Sequence, residues 1–200
     1  MDGIGWAASA MISSRARLDI ATDNLANASS DGFRKHVARG ILTAAGAAVT
    51  ETTTVEQGAL RRTGRPLDWA IAGTGAFTVV DHNGVRTRTR DGAFSLDRFG
   101  ALRDDGGRRL MGQRGVLHMP EGATMEPDGA VLKDGVVVDG LPLPPGSTVQ
   151  TGFLESSNVN AIGEMVDMLG AQRSFESAQK VMTAIDSANQ KASNDLARLK

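Results

Sequence analysis

The sequence predicts an α+β fold, with long N- and C-terminal helices paired as a coiled-coil-like arm around a central all-β domain of hairpins. Three observations carry this prediction. Small and aliphatic residues recur every seven positions at both ends of the chain, as in helices that meet along a narrow seam. Asp-Gly and Asn-Gly pairs recur through the middle among alternating stretches, which is the strongest short-range hairpin signal. Turn-forming residues cluster at the two borders between these zones.

The first zone runs to about residue 27 and contains no proline. Ile4, Met11, Leu18 and Leu25 form one heptad column, and Ala7, Ser14, Ala21 and Ala28 follow each by three. This is an a/d pattern in which one column is small enough for close helix approach. Asn27, Ser29, Ser30, Asp31 and Gly32 end it; Asn27 and Gly32 are types able to take left-handed backbone angles, and Phe33 can anchor the helix end.

From about residue 32 to 152 the chain reads as β. Turn pairs occur at Asn83-Gly84, Asp91-Gly92, Asp105-Gly106, Asp128-Gly129, Asp134-Gly135 and Asp139-Gly140. Residues 76–80, 85–90 and 136–138 read as strands, and Leu141-Pro142-Leu143-Pro144-Pro145-Gly146 as a rigid extended connector back to the last helix. There is no internal repeat.

The last zone, from about residue 160, is again helical. Met168, Phe175, Met182, Asn189 and Leu196 form one column; Ala171, Ala178, Ile185, Ala192 and Leu199 form its companion. Ser157, Asn158 and Asn160 are candidate N-caps, and Glu164 sits where an acid favours the helix dipole. Some 40 residues make a helix of roughly 60 Å, too long for a globular core to need, and a narrow seam of that length wants a partner helix. The expected division is residues 1–31 and 158–200 as helical arm and residues 32–157 as β-rich domain. The expected helix–helix or subunit contacts are Ile4, Met11, Leu18, Leu25, Met168, Phe175, Met182, Ile185 and Leu196.

Composition narrows the function classes. Lys plus Arg number 22 against 23 Asp plus Glu, for a net charge of −1, which lacks the basic excess that phosphate backbones demand. With no cysteine there is no disulfide framework or thiolate metal site. Aromatics are only 4% of residues, so a thin core of Ala, Val, Leu and Met is expected. No cleaved secretory signal and no bilayer-spanning run is visible, so the chain is expected to stay in the cytoplasm or to leave by a route needing no cleaved signal.

Few constellations invite chemistry. Gly73-Thr74-Gly75 lacks the third glycine and following helix of a dinucleotide loop and reads as a structural turn. His36, His82 and His118 are scattered without ligand spacing. Arg86, Arg88 and Arg90 alternate along a strand and read as one solvated face. No catalytic, cofactor-binding or metal-ligating residue is assigned, and an enzyme is not expected.

Several stretches resemble a known family. Asn24-Leu25-Ala26-Asn27, followed by Gly32-Phe33-Arg34, is similar to the N-L-A-N…G-[FY]-[KR] signature near the start of flagellar rod and hook proteins. Glu155-Ser156-Ser157-Asn158-Val159-Asn160 resembles the stretch opening their C-terminal helix, with Glu164-Met165-Val166-Asp167-Met168 and Ala171-Gln172-Arg173 after it. Residues 67–77 and 89–96 resemble central elements in the same order. Departures are Ser30-Asp31 before the Gly-Phe pair, Ala76 where an aromatic is usual, and a short interval between Leu143 and Gly152. The resemblance is to bacterial flagellar basal-body rod proteins, nearest their proximal and distal rod branch.

That resemblance implies a structural subunit of a hollow axial drive shaft that transmits torque to the hook, with another axial protein such as a hook-type subunit as the alternative. It implies contacts with itself, other rod subunits, surrounding ring proteins and the type III export apparatus. It implies no cofactor, no nucleic acid and no membrane insertion. The location implied is the basal-body rod crossing the periplasm, reached without a cleaved signal.

Overall fold

The computed structural model of the chain describes residues 3–43 and 46–198; within these, the side chains of residues 42, 43, 46, 47 and 195–198 lie outside the description. In chain order the described residues form two long helices and, between them in sequence, fourteen strands: α1 (Gly3–Ala26), β1 (His36–Thr43), β2 (Gly46–Thr53), β3 (Leu60–Arg62), β4 (Trp69–Ala72), β5 (Phe77–Val80), β6 (Arg86–Thr89), β7 (Ser95–Leu96), β8 (Leu102–Arg103), β9 (Arg109–Leu110), β10 (Thr124–Met125), β11 (Ala130–Lys133), β12 (Val136–Gly140), β13 (Thr148–Thr151), β14 (Phe153–Glu155) and α2 (Ala161–Arg198). The class is α+β. No helix among the described residues is long and apolar enough to cross a membrane.

The chain forms two compact units, one of residues 1–28, 35–55 and 159–200, the other of residues 29–34 and 56–158. In the first, α1 and α2 pack antiparallel. Asn24 meets Glu164, Thr22 meets Met168, and the Cα of Gly3 sits level with the Ile185 side chain. The β1–β2 hairpin, which sequence reasoning grouped with the β region, packs on α1 in this unit. A lone two-stranded hairpin is marginal in water, and the helix gives its apolar side chains a surface to cover.

α1 stops through side chains rather than a left-handed residue. Asn27 donates from its backbone to the Asp23 carbonyl at 3.1 Å and from Nδ2 to the same oxygen at 2.9 Å. The expected positive φ occurs at Gly32 (70°) but not at Asn27. At the start of α2, Asn160 is the cap: its Oδ1 accepts from the Gly163 amide at 3.3 Å and its carbonyl from Glu164 at 3.0 Å. Asn158 instead donates to the Glu56 carbonyl at 2.9 Å.

The second unit contains a five-stranded sheet ordered β6-β5-β9-β8-β7, a three-stranded sheet β10-β11-β12, and the pairs β4–β13 and β3–β14. The last two pairs close the unit by joining its first strands to its last. The proline-rich connector therefore leads into β13 and β14, and not straight into α2 as the sequence reading had it. Asn83-Gly84, Asp105-Gly106, Asp128-Gly129 and Asp134-Gly135 lie at turns. Asp139-Gly140 lies inside β12, and Asp91-Gly92 makes a close crossing where a Cβ on Gly92 would fall 1.7 Å from the Trp69 carbonyl oxygen.

The core of this unit corrects the expectation of a thin aliphatic interior. Trp69, Phe77 and Phe94 are fully buried and meet edge to face, with ring centroids 5.6 Å apart for Trp69–Phe94 and 5.1 Å for Phe77–Phe94. Ile71, Val79, Leu102, Leu110, Leu117 and Val131 surround them. Low aromatic content overall conceals three of the eight aromatics concentrated at one point.

Candidate functional site

The helical seam is the first candidate. On α1, Ala7, Ser14 and Ala21 are buried, with Ile4, Met11, Leu18 and Leu25 half-buried beside them. On α2, Ala171 and Ala178 are buried, and Met168, Phe175, Met182 and Ile185 half-buried. The small column lies deepest because small residues let the two backbones approach. Beyond Ile185 the pattern changes: Asn189 and Ala192 are exposed, while the side chain of Leu196 lies outside the described residues.

Where α1 ends and α2 begins, a buried polar junction joins motifs 140 residues apart. Asn24, fully buried, donates from Nδ2 to Glu164 at 3.0 Å and to the His36 carbonyl at 2.8 Å; its Oδ1 accepts from the His36 amide at 2.8 Å. Lys35 Nζ lies 2.5 Å from Glu164. Glu164 thus does more than complement a helix dipole. It is a buried carboxylate held by an amide and an ammonium, the compensation a charge needs once removed from water. Of the neighbouring motif residues, Leu25, Asn27 and Ala28 are half-buried and Ala26 exposed.

The second unit holds a second junction, and here the sequence reading is corrected. Arg86 and Arg88 are exposed as expected, but Arg90 falls just past the end of β6 and is buried. Its guanidinium donates to the carbonyls of Ile71, Gly73 and Gly75 at 2.7, 2.5 and 2.6 Å and to the Glu155 carboxylate at 2.8 Å. Gly73-Thr74-Gly75 is a turn, and its work is to aim these oxygens at one side chain; both glycines have positive φ. Glu155, 1% exposed, also accepts from the Gly58 amide at 3.2 Å and Gln57 at 3.3 Å, with Arg34 at 3.7 Å. Burial pushes the Arg90 guanidinium below its ordinary pKa, and the Glu155 charge opposes that shift.

Gly32 lies against this junction. Its amide donates to the Glu155 carbonyl at 2.6 Å, and a Cβ there would sit 2.1 Å from the Asp91 nitrogen. Phe33, Ser157, Asn158 and Val159 are half-buried, and Asn160 is exposed at the helix cap. Asp31, a departure from the family pattern, is bonded by Arg61 through both carboxylate oxygens at 3.1 and 2.9 Å. Arg90 was missed because a lone arginine at a strand end looks the same whether it faces water or carbonyls. The signal available was its position in one motif and that of Glu155 in another.

Among the described residues no cluster of three or more His, Asp or Glu is placed to hold a metal ion. What the geometry provides is rigidity: two desolvated polar junctions at which the separated motifs meet.

Those motifs connect the chain to known proteins. A family described as "Flagella basal body rod protein" matches residues 4–34, "Flagellar hook protein FlgE/F/G D1 domain" matches 70–166, and "Flagellar basal body rod FlgEFG protein C-terminal" matches 150–195. The chain is similar to the flagellar basal-body rod protein FlgF of Escherichia coli strain K12, 29% identical over 84% of this chain and 87% of that protein. It is 28% identical to FlgF of Rhizobium meliloti over 95% of both, and 28% identical to FlgG of Bacillus subtilis over 93% of this chain and 96% of that protein. These alignments run over 219, 235 and 255 positions, more than the 200 residues here, so the relatives carry segments this chain lacks. Asn24, Glu164, Arg90 and Glu155 all fall inside the matched regions, which together take in residues 4–34 and 70–195, and the chain belongs to the flagellar basal-body rod protein family.

Proposed function

We propose that this chain, a structural subunit of the flagellar basal-body rod, polymerises through its terminal helices into the hollow axial shaft that transmits torque to the hook. In this reading α1 and α2 form a coiled-coil-like arm, residues 1–31 and 158–200, lining the inner tube. Residues 32–157 supply the β-rich outer layer, with the β1–β2 hairpin carried on the arm. The seam residues from Ile4 to Leu25 and from Met168 to Leu196 hold the arm together and meet adjacent subunits.

The observation that supports this most is the Asn24–Glu164 junction, which pins the two ends of the chain in register so that one seam runs the length of α1. A subunit that carries torque needs fixed angles between its parts, and buried charges held by hydrogen bonds and ion pairs resist bending. A head-to-tail contact repeated without closing yields an open helical filament. The role is mechanical and not catalytic. The chain is exported by the flagellar type III apparatus without a cleaved signal, and its neighbours are other rod subunits and the surrounding ring proteins. A hook-type subunit is disfavoured, because the relatives are named rod proteins.

The deciding experiment is purification of basal bodies from a strain expressing the chain, together with motility of a deletion strain. The chain is expected in the rod fraction, and the deletion strain is expected to be non-motile. Full motility of the deletion strain would overturn the reading.

A further inference from the structure

Register across the five-stranded sheet gathers four arginines onto one face. Arg86 on β6 and Arg109 on β9 both stand opposite Val80 of β5, and Arg103 on β8 stands opposite Arg109. Arg88 lies two positions from Arg86, opposite Thr78. Residues directly opposite, or two apart on one strand, share a face. The other face is the core side, carrying Phe77, Val79, Leu102 and Leu110. All four arginines are exposed, and only Thr78, Val80 and Ser95 stand among them on these strands. With about 4.8 Å between strands and about 3.4 Å per residue, three of the cations cross roughly 14 Å in one row and Arg88 stands about 7 Å from Arg86.

This arrangement works against the sheet that carries it. Arg103 and Arg109 are like charges in direct register, which destabilises a strand pair. Among the described residues no ion pair engages any of the four. The acids in the turns of this sheet have other partners. Asp81 Oδ1 accepts from the Asn83 and Val85 amides, and Asp104 holds Arg108. Asp97 feels the Arg103 charge, but its Oδ1 is committed to the Ala101 and Phe99 amides. A surface that only meets water mixes both signs, and this one does not.

We propose that this arginine face docks a partner protein that presents clustered Asp or Glu carboxylates. A guanidinium meets a carboxylate through two parallel hydrogen bonds, and every cation of the face is Arg. Protein interfaces enrich Arg and aromatic residues and deplete Lys. The β7–β8 turn at the sheet's edge adds both favoured types: the Arg98 guanidinium lies 4.9 Å from the centre of the Phe99 ring, which is 72% exposed. A nucleic acid fits less well, since no base-stacking aromatic stands among the four arginines and the chain's net charge is −1. An anionic lipid surface fits less well too, because half-buried Val80 is the sole apolar residue among them to insert. The acids Asp19, Asp23 and Glu51 of a second copy are already engaged with Arg15 and His36. The proposal stands on the sheet alone and does not rest on the rod reading.

The test titrates fluorescently labelled poly-L-glutamate with the purified full chain and follows anisotropy at about 0.1 M salt, where charges farther apart than ~10 Å are screened. The face variant combines Arg86→Gln, Arg88→Gln, Arg103→Gln and Arg109→Gln. A control combines Arg39→Gln, Arg62→Gln, Arg173→Gln and Lys180→Gln, removing the same charge from exposed positions elsewhere. Affinity is expected to fall at least ~10-fold in the face variant and less than ~3-fold in the control. An oligonucleotide of equal charge and phosphatidylglycerol vesicles are expected to bind the unaltered chain more weakly than the polymer does. No binding of the polymer, an equal loss in the control, or tighter binding of the oligonucleotide or the vesicles overturns the proposal. The urea midpoint of the β-rich unit supplies the second readout. It is expected to stay level or rise in the face variant, because the repulsion between Arg103 and Arg109 is relieved. A lower midpoint, or a variant that does not fold, means that the arginines hold the sheet itself and also overturns it.

Discussion

Replacing Arg90 with Met removes the cation from the buried junction while keeping the length and apolar stem of the side chain. Glu155 is then a carboxylate 1% exposed, with Arg34 3.7 Å away as its nearest cation. The carbonyls of Gly73 and Gly75 lose their guanidinium donor, while Ile71 keeps Gln57 at 2.7 Å. Removing one partner of a buried ion pair costs about 3–5 kcal/mol. Because total domain stability is about 5–15 kcal/mol, that is about a fifth of it or more. At a urea slope of about 2 kcal/mol per M, the midpoint should fall by about 2 M. Urea titration followed by the fluorescence of Trp69 measures this in the β-rich unit, where that ring is fully buried. The second half of the test adds Glu155→Leu, and the double variant should lose at least ~1 kcal/mol less than the sum of the singles. A single-variant loss below about 1 kcal/mol, or strict additivity, would refute the claim that this pair holds the motifs together.

Three further outcomes are expected. Gly32→Ala should cost more than about 2 kcal/mol, since φ is +70° and the new Cβ would meet backbone of Arg90 and Asp91. Gly64→Ala, at φ +77° with open space around it, should cost only about 1–2 kcal/mol in the same urea assay. Asn160→Ala should cost about 1 kcal/mol by removing the α2 cap, and Asn160→Asp should not; helical circular dichroism during thermal melting reads the difference. Burial raises the Asp91 pKa above its ordinary value of 3.8, so its charged form is the disfavoured one in the folded unit. Its contribution is full below pH 3.8 and is lost as pH rises through the raised folded value. Asp91→Asn, which keeps the oxygen that accepts from Ala93, should therefore be neutral to stabilising at pH 7 and lose that advantage near pH 3. A uniform effect at both pH values would count against this.

Much of this molecule was legible because its signals are local. The heptad columns placed α1 and α2 to within a residue or two, since helical periodicity depends only on neighbours three and four apart. Asp134-Gly135 is a turn because both residues adopt the positive φ that this pair tolerates best. Local signals also misled. Asp91-Gly92 and Asp139-Gly140 carry the same letters as true turns, yet one is a close crossing and the other lies within a strand.

By itself the sequence determined the helix–β–helix order and the heptad columns, which are properties of spacing along the chain, and its motifs carried the resemblance to the family. Tertiary structure alone decided which distant groups share a desolvated space. It turned Arg90 inward onto Glu155 while Arg86 and Arg88 face water, and it seated Glu164 under Asn24 and Lys35. It also gathered Trp69, Phe77 and Phe94 into one core. The physical reason is that burial and ion pairing depend on what the folded chain brings near, and a charged residue is written the same whether its partner is water or a carboxylate 65 residues away.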